Sequence, residues 1–420
     1  MHRIRLLTRG TVLLAIVLLT TPSRAAAQQI VFDAYLTPAT GALNLITLQR
    51  GLASLEDHFL PLKLGTERTR LGLAAGVLYR AAKLTGLDVP QDHMLLVVQH
   101  EFFGHGARLR ELGVGHIGYG FDGPIPYGHG GGVTRFEGEI PDSPLAILAI
   151  ESSGIEAQHS LADALAARAL VRGRFHYREA WLYFESRYIA ATYIVNATEF
   201  EHEGHDVADF ARTMAESCEP PSCKPITLRD LQRGARLMLA DPLLYAAIYG
   251  FASSYVGLGE TTSPIPMIRL GHGVRYLPSV GFAMTPYGTE WSLRNAFVSG
   301  GKITGATLRV GNTGGTTPWG IDLHTAGIRV PRTRWRVSPA LSIWRQPFIL
   351  AERPSAPLAT GAAASATFVL PLPRRLRAAA MNAVNGIYLT AGAKSDGFVP
   401  GEQLSGGAIF KAGLALRPFD

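Results

Sequence analysis

Two histidines and a glutamate lie close together in the otherwise apolar stretch from Val97 to Gly106. A zinc hydrolase needs two neutral imidazole nitrogens on one side of a helix and a neighbouring carboxylate that accepts a proton from water. His100, Glu101 and His105 provide this set of groups. The stretch therefore predicts a Zn²⁺ site in which His100 and His105 bind the metal and Glu101 is the general base.

The separation of the two histidines requires a distortion of the helix. Positions four apart on a regular helix are about 40° from each other around the axis, whereas positions five apart are about 140° apart. A single π-helical turn would bring both imidazoles to one side, and such turns are frequent at functional sites. Gly104 stands where that turn is needed, and glycine tolerates the distortion best. We therefore predict a π-bulge at Gly104.

The sequence His-Glu-x-x-Gly-His from His100 to His105 resembles the zinc motif of the dipeptidyl-peptidase III family. The resemblance covers this helix and a third ligand further along the chain. It implies that His100 and His105 hold zinc and that Glu101 is the base of a zincin-type metallopeptidase. The alternative is a buried helix that has two histidines by chance.

A third ligand is expected from a later antiparallel helix, commonly as a glutamate. The predicted helix runs from Ser143 to about Val171 and contains Glu151 and Glu156. We favour Glu156, because His159 and Asp163 share its face and would orient it through hydrogen bonds. The resembling family uses a Glu-Glu-x-x-x-Glu segment that this chain does not reproduce, so Glu151 stays open as the alternative.

A second group of metal-binding residue types occurs at residues 201–206, in the sequence Glu-His-Glu-Gly-His-Asp. It lies in a polar stretch without an apolar helical frame, whereas metal ligands must be held rigidly by their surroundings. We therefore interpret residues 201–206 as a solvated loop.

The glycine-rich stretch after the motif is the candidate for substrate contacts. Residues 132–137 have the pattern of an extended segment that would pair with a peptide backbone, and an ordinary connecting loop is the alternative. Tyr127 and His129 lie in the same stretch and are candidate donors to the oxyanion of the reaction.

The motif helix has predicted boundaries. A first helix is expected from Arg68 to Thr85, ending at Gly86. A second begins with Asp88 as its N-cap, runs through the motif to about Glu111 and stops at Gly113.

The first 27 residues have a basic start, a short apolar centre and a small-residue end, which is the pattern of a secretory signal peptide. Their removal takes away four arginines and no acids, so the formal charge falls from +7 to +3. The high isoelectric point therefore does not indicate nucleic-acid binding. Cys218 and Cys223 are the two cysteines of the chain, and in an exported protein they predict a disulfide.

The mature chain divides by pattern into two domains. Residues 28–262 have helical periodicity, whereas residues 263–420 have short alternating segments separated by turn residues. From residue 266 onward there are 17 basic and 6 acidic residues, a different charge balance from that of the helical part. We predict an α+β protein with a mostly helical zincin-like domain and a C-terminal antiparallel β-barrel of about eight strands. An outer-membrane barrel is favoured over a soluble barrel or sandwich.

These patterns together predict a zinc-dependent peptidase of the bacterial cell envelope, located in the periplasm or the outer membrane. Its substrate would be a peptide or protein. The alternatives are an outer-membrane barrel protein whose helical domain binds metal for structure alone, and a metal-dependent hydrolase of a non-peptide bond. The intact Glu101 favours catalysis, because a purely structural site has no use for an unligated carboxylate between its ligands.

Overall fold

One large antiparallel sheet dominates the second half of the chain. The computed structural model describes residues 28–60, 69–128, 131–199, 204–348, 356–373 and 384–416, so the predicted signal peptide lies outside the described residues. The strands of the sheet, from edge to edge, are β1 (Gln28–Phe32), β15 (Gly407–Leu416), β14 (Val384–Lys394), β13 (Leu358–Pro371), β12 (Arg336–Pro347), β10 (Trp319–Ala326), β9 (Lys302–Asn312), β8 (Gly288–Ser299), β7 (Val274–Thr285) and β6 (Ile268–Gly271), with the short β11 (Ile328–Arg329) paired to β12.

The predicted α+β class is confirmed. The structure has eleven strands in this sheet, and eight of them, β7 to β10 and β12 to β15, have eight residues or more. Among the described residues, the sheet has ten strands after residue 266, β6 to β15, against the eight or so expected there from alternation. The sequence prediction missed β6 and β11 because four and two residues are too few to show a period of two.

The first described strand belongs to the sheet, although it precedes all the helices. Gln28 of β1 pairs with Leu416 of β15, and Phe32 pairs with Ala412. The segment before residue 263 therefore contributes an edge strand to a sheet that is otherwise formed by the segment after it.

The helices lie mainly between β1 and β6 in the chain. They are α1 (Pro38–Phe59), α2 (Arg70–Lys83), α3 (Val89–His100), α4 (Gly106–Glu111), α5 (Pro144–Arg172), α6 (Tyr177–Asn196), α7 (Asp206–Glu216), α8 (Leu228–Met238) and α9 (Pro242–Ile248), with π-helical segments π1 (Leu84–Asp88), π2 (Glu101–His105) and π3 (Tyr249–Gly257). Two short ladders complete the fold, β2 (Gly118–Phe121) with β3 (Gly132–Arg135) and β4 (Arg174–His176) with β5 (Thr262–Pro264).

The hydrophobic core is shared by the helices and the sheet. Leu161 and Tyr183 of the helices lie in one buried cluster with Val298 and Ile303 of β8 and β9. A second cluster joins side chains from the later helices to β7: Phe210, Leu231, Phe282 and Met284. Since both clusters include residues on each side of residue 263, the helical and β parts bury apolar surface against each other.

Besides the apolar side chains of these clusters, the sheet holds buried charges on its helix side and exposes apolar side chains on its other face. Glu290 and Arg309 are almost fully buried and form an ion pair of 3.0 Å beneath the helices. On the other face, Leu293 pairs with Leu308, and Leu308 pairs with Ile321; all three side chains are exposed.

The chain from α2 to α4 is one continuous helical segment rather than the two helices predicted. The predicted end at Gly86 is wrong, because π1 continues α2 directly into α3. Asp88 has helical backbone angles and makes no capping hydrogen bond. It is a buried ion-pair partner instead, 3.0 Å from Lys83 and 2.9 Å from Arg178. The predicted stop is confirmed: α4 ends at Glu111, and Gly113 has a φ of 75°.

Other sequence predictions also agree with the structure. The helix α5 covers the expected residues and ends at Arg172, and the next residue, Gly173, has a φ of 69° that suits a glycine cap. The Cys218–Cys223 disulfide is present. Within the described ranges, no single helix has the length and apolar character to cross a membrane; only the bent combination of α8 with α9 and π3 meets those two criteria together.

Candidate metal centre

The motif forms the predicted π-helical turn. Residues Glu101–His105 make up π2, between α3 and α4. This turn brings both imidazoles to one side of the helix, with His100 Nε2 and His105 Nε2 3.2 Å apart. The prediction that a local distortion would align the two histidines is therefore confirmed.

A carboxylate from the start of α7 joins the two imidazoles. Asp206 Oδ2 lies 2.9 Å from His100 Nε2 and 3.3 Å from His105 Nε2. Among the described residues, His100, His105 and Asp206 are the one group of three that brings ligand atoms within metal-binding range.

The spacing of these three atoms fits a small tetrahedral metal site. In tetrahedral zinc sites the ligand atoms lie about 2.0–2.1 Å from the ion, which places them about 3.3 Å from one another. The three distances observed here are 2.9, 3.2 and 3.3 Å. Two imidazoles and one carboxylate are also a ligand set that suits zinc and leaves a fourth position for water.

The charge of Asp206 dominates the electrostatics of the cluster. Burial lowers the pKa of His105, but the charge and hydrogen bond of Asp206, with Glu101 nearby, raise it to about 9 overall. Burial raises the pKa of Asp206, but the two imidazoles hold it well below its usual value. The cluster therefore holds a carboxylate anion that favours a positive charge at the imidazole nitrogens, whether a proton or a metal cation.

Helix α5 fixes the orientation of His105. The Ile150 carbonyl lies 2.9 Å from His105 Nδ1 and the Ser153 hydroxyl 3.2 Å from it. A proton on Nδ1 that bonds to the carbonyl leaves Nε2 available as a ligand, the usual arrangement for metal-binding histidines.

Two glycines allow α5 and π2 to touch. A Cβ on Gly104 would lie 2.8 Å from the Gly154 Cα and from the Ser153 carbonyl oxygen. A Cβ on Gly154 would lie 2.3 Å from His100 Nε2. The predicted importance of Gly104 therefore has a second reason, because the helices approach backbone to backbone at this point.

Glu101 lies under the β2–β3 hairpin and is not one of the three clustered groups. Thr134 Oγ1 of β3 donates a 2.6 Å hydrogen bond to Glu101 Oε2. A Cβ on Gly132 would lie 2.6 Å from Glu101 Cγ, so the glycine lets the strand pass directly over the carboxylate. In the described part of the chain β3 pairs with β2 alone, which leaves its second edge for another strand.

Glu156, predicted as the third ligand, lies elsewhere. Both of its carboxylate oxygens accept hydrogen bonds of 2.7 Å from Arg108 Nη2. Together with His159 and Asp163 it lines a 440 Å³ cavity against the sheet, which His100, His105 and Asp206 do not line. The Glu156 assignment therefore disagrees with the geometry, because its charge is neutralised by a buried arginine.

Glu151, the alternative ligand, is also separate from the cluster. Its carboxylate accepts a 2.9 Å hydrogen bond from Thr213. Burial raises the pKa of Glu151 to about 8, with further increases from the charges of Asp209 and Asp206 and a decrease from the Thr213 hydrogen bond. A neutral carboxyl of this kind is a poor metal ligand near pH 7.

The interpretation of residues 201–206 as a solvated loop is wrong for its last member. Residues 201–203 lie outside the described residues, but Asp206 is the first residue of α7 and is largely buried in the cluster. Val207, Phe210 and Met214 follow it at helical spacing and are buried. That apolar period was the sequence feature that could have identified Asp206 as an acid held at the start of a packed helix.

The predicted oxyanion donors receive no support. Tyr127 donates its hydroxyl to the Gly86 carbonyl at 2.9 Å, and His129 lies outside the described residues. Residues 132–135 of the predicted extended segment form β3. Its Thr134 donates a hydrogen bond to Glu101.

Comparisons with known proteins give no match to a family model, to a curated protein or to a solved structure.

Proposed function

We propose that the chain is a zinc-dependent peptidase of the bacterial cell envelope, with His100, His105 and Asp206 as zinc ligands and Glu101 as the general base. The observation that supports it most is the π-turn, which places two imidazole nitrogens and one carboxylate oxygen 2.9–3.3 Å apart directly beside a non-ligating glutamate. A structural site does not need that glutamate.

The chemistry follows from the position of each side chain. Zinc in such a site is a Lewis acid that polarises a carbonyl and acidifies water. Beside a zinc ion held by these ligands, Glu101 would accept a proton from water and return it to the leaving amine. Thr134 holds Glu101 by its 2.6 Å hydrogen bond, and Ile150 holds His105 by its 2.9 Å contact.

A peptide is the substrate class that the neighbouring strand favours. The second edge of β3 presents backbone donors and acceptors next to Glu101, and an extended peptide that adds a strand there would form main-chain hydrogen bonds. Val133 in β3 and Phe136 just after it are exposed and would contact side chains of the peptide.

The sheet supports a place in the outer membrane. Its outer face has a continuous group of exposed apolar side chains, which we call the outer apolar belt: Trp291, Leu293, Leu308, Val310, Trp319, Ile321, Leu341, Ile343, Ile387, Phe410 and Leu414. The opposite face holds buried charges such as Arg309 and Glu290. Exposed apolar side chains outside, with buried charges among the apolar contacts inside, fit a membrane barrel better than a soluble one, whose exposed face is polar. We therefore propose that the sheet is an outer-membrane barrel and that residues 1–27 direct export.

The test uses the full chain purified in detergent, with zinc content and hydrolysis of a mixed peptide library measured together. Wild type should bind about one zinc per chain and cleave peptides. Glu101→Gln should keep the zinc and lose hydrolysis, whereas Asp206→Asn should lose the zinc. Glu151→Gln is the matched control, since that buried carboxyl is not in the cluster.

Each outcome separates one alternative. If Glu101→Gln keeps full hydrolysis, Glu101 is not the base. If zinc binds to wild type but no peptide is cleaved, the peptidase proposal is wrong, and the alternatives are a barrel protein with a metal-stabilised helical domain and a hydrolase of a non-peptide bond. If Glu151→Gln loses zinc and Asp206→Asn does not, the ligand assignment is wrong.

A further inference from the structure

A buried ion pair joins the motif helix to α5, one helical turn beyond His105 on the motif helix. His105 and Ser153 face each other across the contact between π2 and α5. Three residues further along each helix, Arg108 and Glu156 face each other in the same way, with two bonds of 2.7 Å. Arg108 is three residues beyond His105 and Glu156 is three residues beyond Ser153, so each lies about one helical turn from a residue of the His105–Ser153 contact.

This ion pair is almost completely excluded from solvent. The side chain of Arg108 is 1% exposed and that of Glu156 is 4% exposed. Removing Glu156 leaves the buried Arg108 with Glu111 as its remaining acidic partner, and the loss of one partner of a buried pair is destabilising.

A loop of the sheet closes over the ion pair. The β14–β15 loop, residues 395–406, donates the Gly401 amide to Glu156 Oε1 at 2.8 Å. It also accepts a 2.9 Å hydrogen bond from Arg108 Nη1 at the Glu402 carbonyl. Both helices are therefore bonded to the same short segment of the sheet.

A second acid extends the connection. Glu111 is at the end of α4, and its Oε1 accepts the amides of Leu404 and Ser405 at 2.6 and 2.8 Å. Its other oxygen accepts a 3.0 Å hydrogen bond from Arg108. The motif helix is thus hydrogen-bonded to the loop through Arg108 and, one turn later, through Glu111.

Beside the three candidate ligands, the motif helix and α5 are joined by hydrogen bonds from Gln99 to the Ala157 carbonyl and between His105 and the Ile150 carbonyl. The closest approach is between the backbones of Gly104 and Gly154, where there are no side chains to interlock. Yet His105 takes its orientation from Ile150 and Ser153 of α5, and metal sites tolerate ligand displacements of only about 0.2 Å.

We propose that Glu156 is a positioning residue for the metal centre, and that the Arg108–Glu156 pair with the β14–β15 loop holds π2 and α5 in the register that zinc binding requires. This inference rests on the proposed function for the identity of the metal. By this proposal, the β14–β15 loop of the sheet helps to set the positions of the metal ligands, although the loop contains none of them.

The chain offers a closely matched control. Glu290 is also a buried glutamate paired with one arginine, Arg309, at 3.0 Å, and it accepts a second hydrogen bond from Tyr287 at 2.6 Å. It belongs to β8, and these two partners lie in β9 and in the β7–β8 turn rather than on π2 or α5. Glu290→Gln and Glu156→Gln should therefore lower stability to a similar extent while differing in their effect on the metal.

The experiment measures zinc affinity by chelator competition on the full chain in detergent, at a temperature where every variant is folded, with thermal unfolding of the zinc-free proteins in parallel. Glu156→Gln should weaken zinc binding about 10–100-fold, as for other groups that orient ligands. Glu290→Gln should leave it within about twofold, despite a similar fall in the unfolding temperature. Glu111→Gln, which keeps the buried pair, should weaken zinc binding to an intermediate extent and serves if Glu156→Gln does not fold.

Equal zinc affinities in wild type, Glu156→Gln and Glu111→Gln would overturn the proposal, and so would an equal loss in Glu156→Gln and Glu290→Gln. These results concern affinity and are independent of hydrolysis. A wild-type protein that binds zinc but cleaves no peptide would refute the proposed function alone, whereas a wild type that binds no zinc would refute both.

Discussion

Substitution of Gly154 by alanine tests the geometry of the centre most directly. The added Cβ would lie 2.3 Å from His100 Nε2 and 2.4 Å from its Cε1. Non-bonded heavy atoms need about 3.5 Å, so either the imidazole or the backbone of α5 must move by more than about 1 Å. Metal ligands tolerate about 0.2 Å, so the displaced ring can no longer share an ion with His105 and Asp206.

The expected effects on binding and on stability differ in size. Zinc affinity should fall at least tenfold, whereas the added methyl group should cost about 1–3 kcal/mol of unfolding free energy, as in other overpacked sites. The assay is chelator competition for zinc, with thermal unfolding of the zinc-free protein. The matched control is Gly86→Ala, because a Cβ at Gly86 meets nothing within 4 Å.

Gly86→Ala should bind zinc like wild type and be as stable or slightly more stable, since alanine favours helices over glycine. A Gly154→Ala protein whose zinc affinity stays within about twofold of wild type would show that His100 is not confined by α5, and the ligand geometry proposed for π2 would have to be abandoned.

Three further predictions concern the base, the pH dependence of stability and the membrane face. Thr134→Val removes the hydroxyl that holds Glu101 and should lower kcat about tenfold with zinc content unchanged; an unchanged kcat would show that this hydrogen bond does not orient the base. Burial raises the pKa of Glu179, but Arg168, Arg172 and Arg50 lower it to about 2. The resulting stabilisation of the folded state, about 3 kcal/mol, is present above the unfolded pKa of about 4.5 and is lost as the pH falls toward 2. Glu179→Gln should therefore destabilise the protein at pH 7 and much less at pH 2. Denaturant unfolding at both pH values checks this, and a difference in stability that does not depend on pH would contradict it. Ile321→Arg places a charge in the outer apolar belt, where a membrane barrel loses about 2–4 kcal/mol; the protein should leave the membrane fraction, whereas unaltered membrane recovery would indicate that this face does not contact lipid.

The local geometry of the motif could be predicted from the sequence. Two histidines five positions apart cannot bind one ion from a regular α-helix, because their side chains point to different sides of it. A π-helical turn brings both imidazoles to the same side. The same is true of the strands, because an alternation of eight residues or more is a strong pattern. These features depend on residues that are close together in the chain.

The third ligand could not be predicted in the same way. Asp206 is 106 residues from His100, and its position results from the packing of α7 against α5. Glu156 has the residue type and helical neighbours of a ligand, but the same features suit an acid that pairs with Arg108. Which carboxylate meets the imidazoles is decided by tertiary packing, about which one sequence contains no direct information.

Gly86 illustrates the limit of local rules in another way. A glycine followed by Asp-Val-Pro predicts a helix end and a new start, yet the helix continues through π1 because Asp88 pairs with Lys83 and Arg178 in the interior. Buried electrostatic partners outweigh the capping preference here.

The pairing of β1 with β15 constrains the order of assembly. The ladder joins residues 28 and 416, so nearly the whole described chain must be synthesised before that edge can form. Contacts between residues so far apart in the chain form slowly. We therefore expect β1 to pair with β15 only after the other strands have paired with their neighbours. A circular permutant that links residues 416 and 28 and opens the chain at an exposed turn would make this contact local, and it should refold faster than the natural chain.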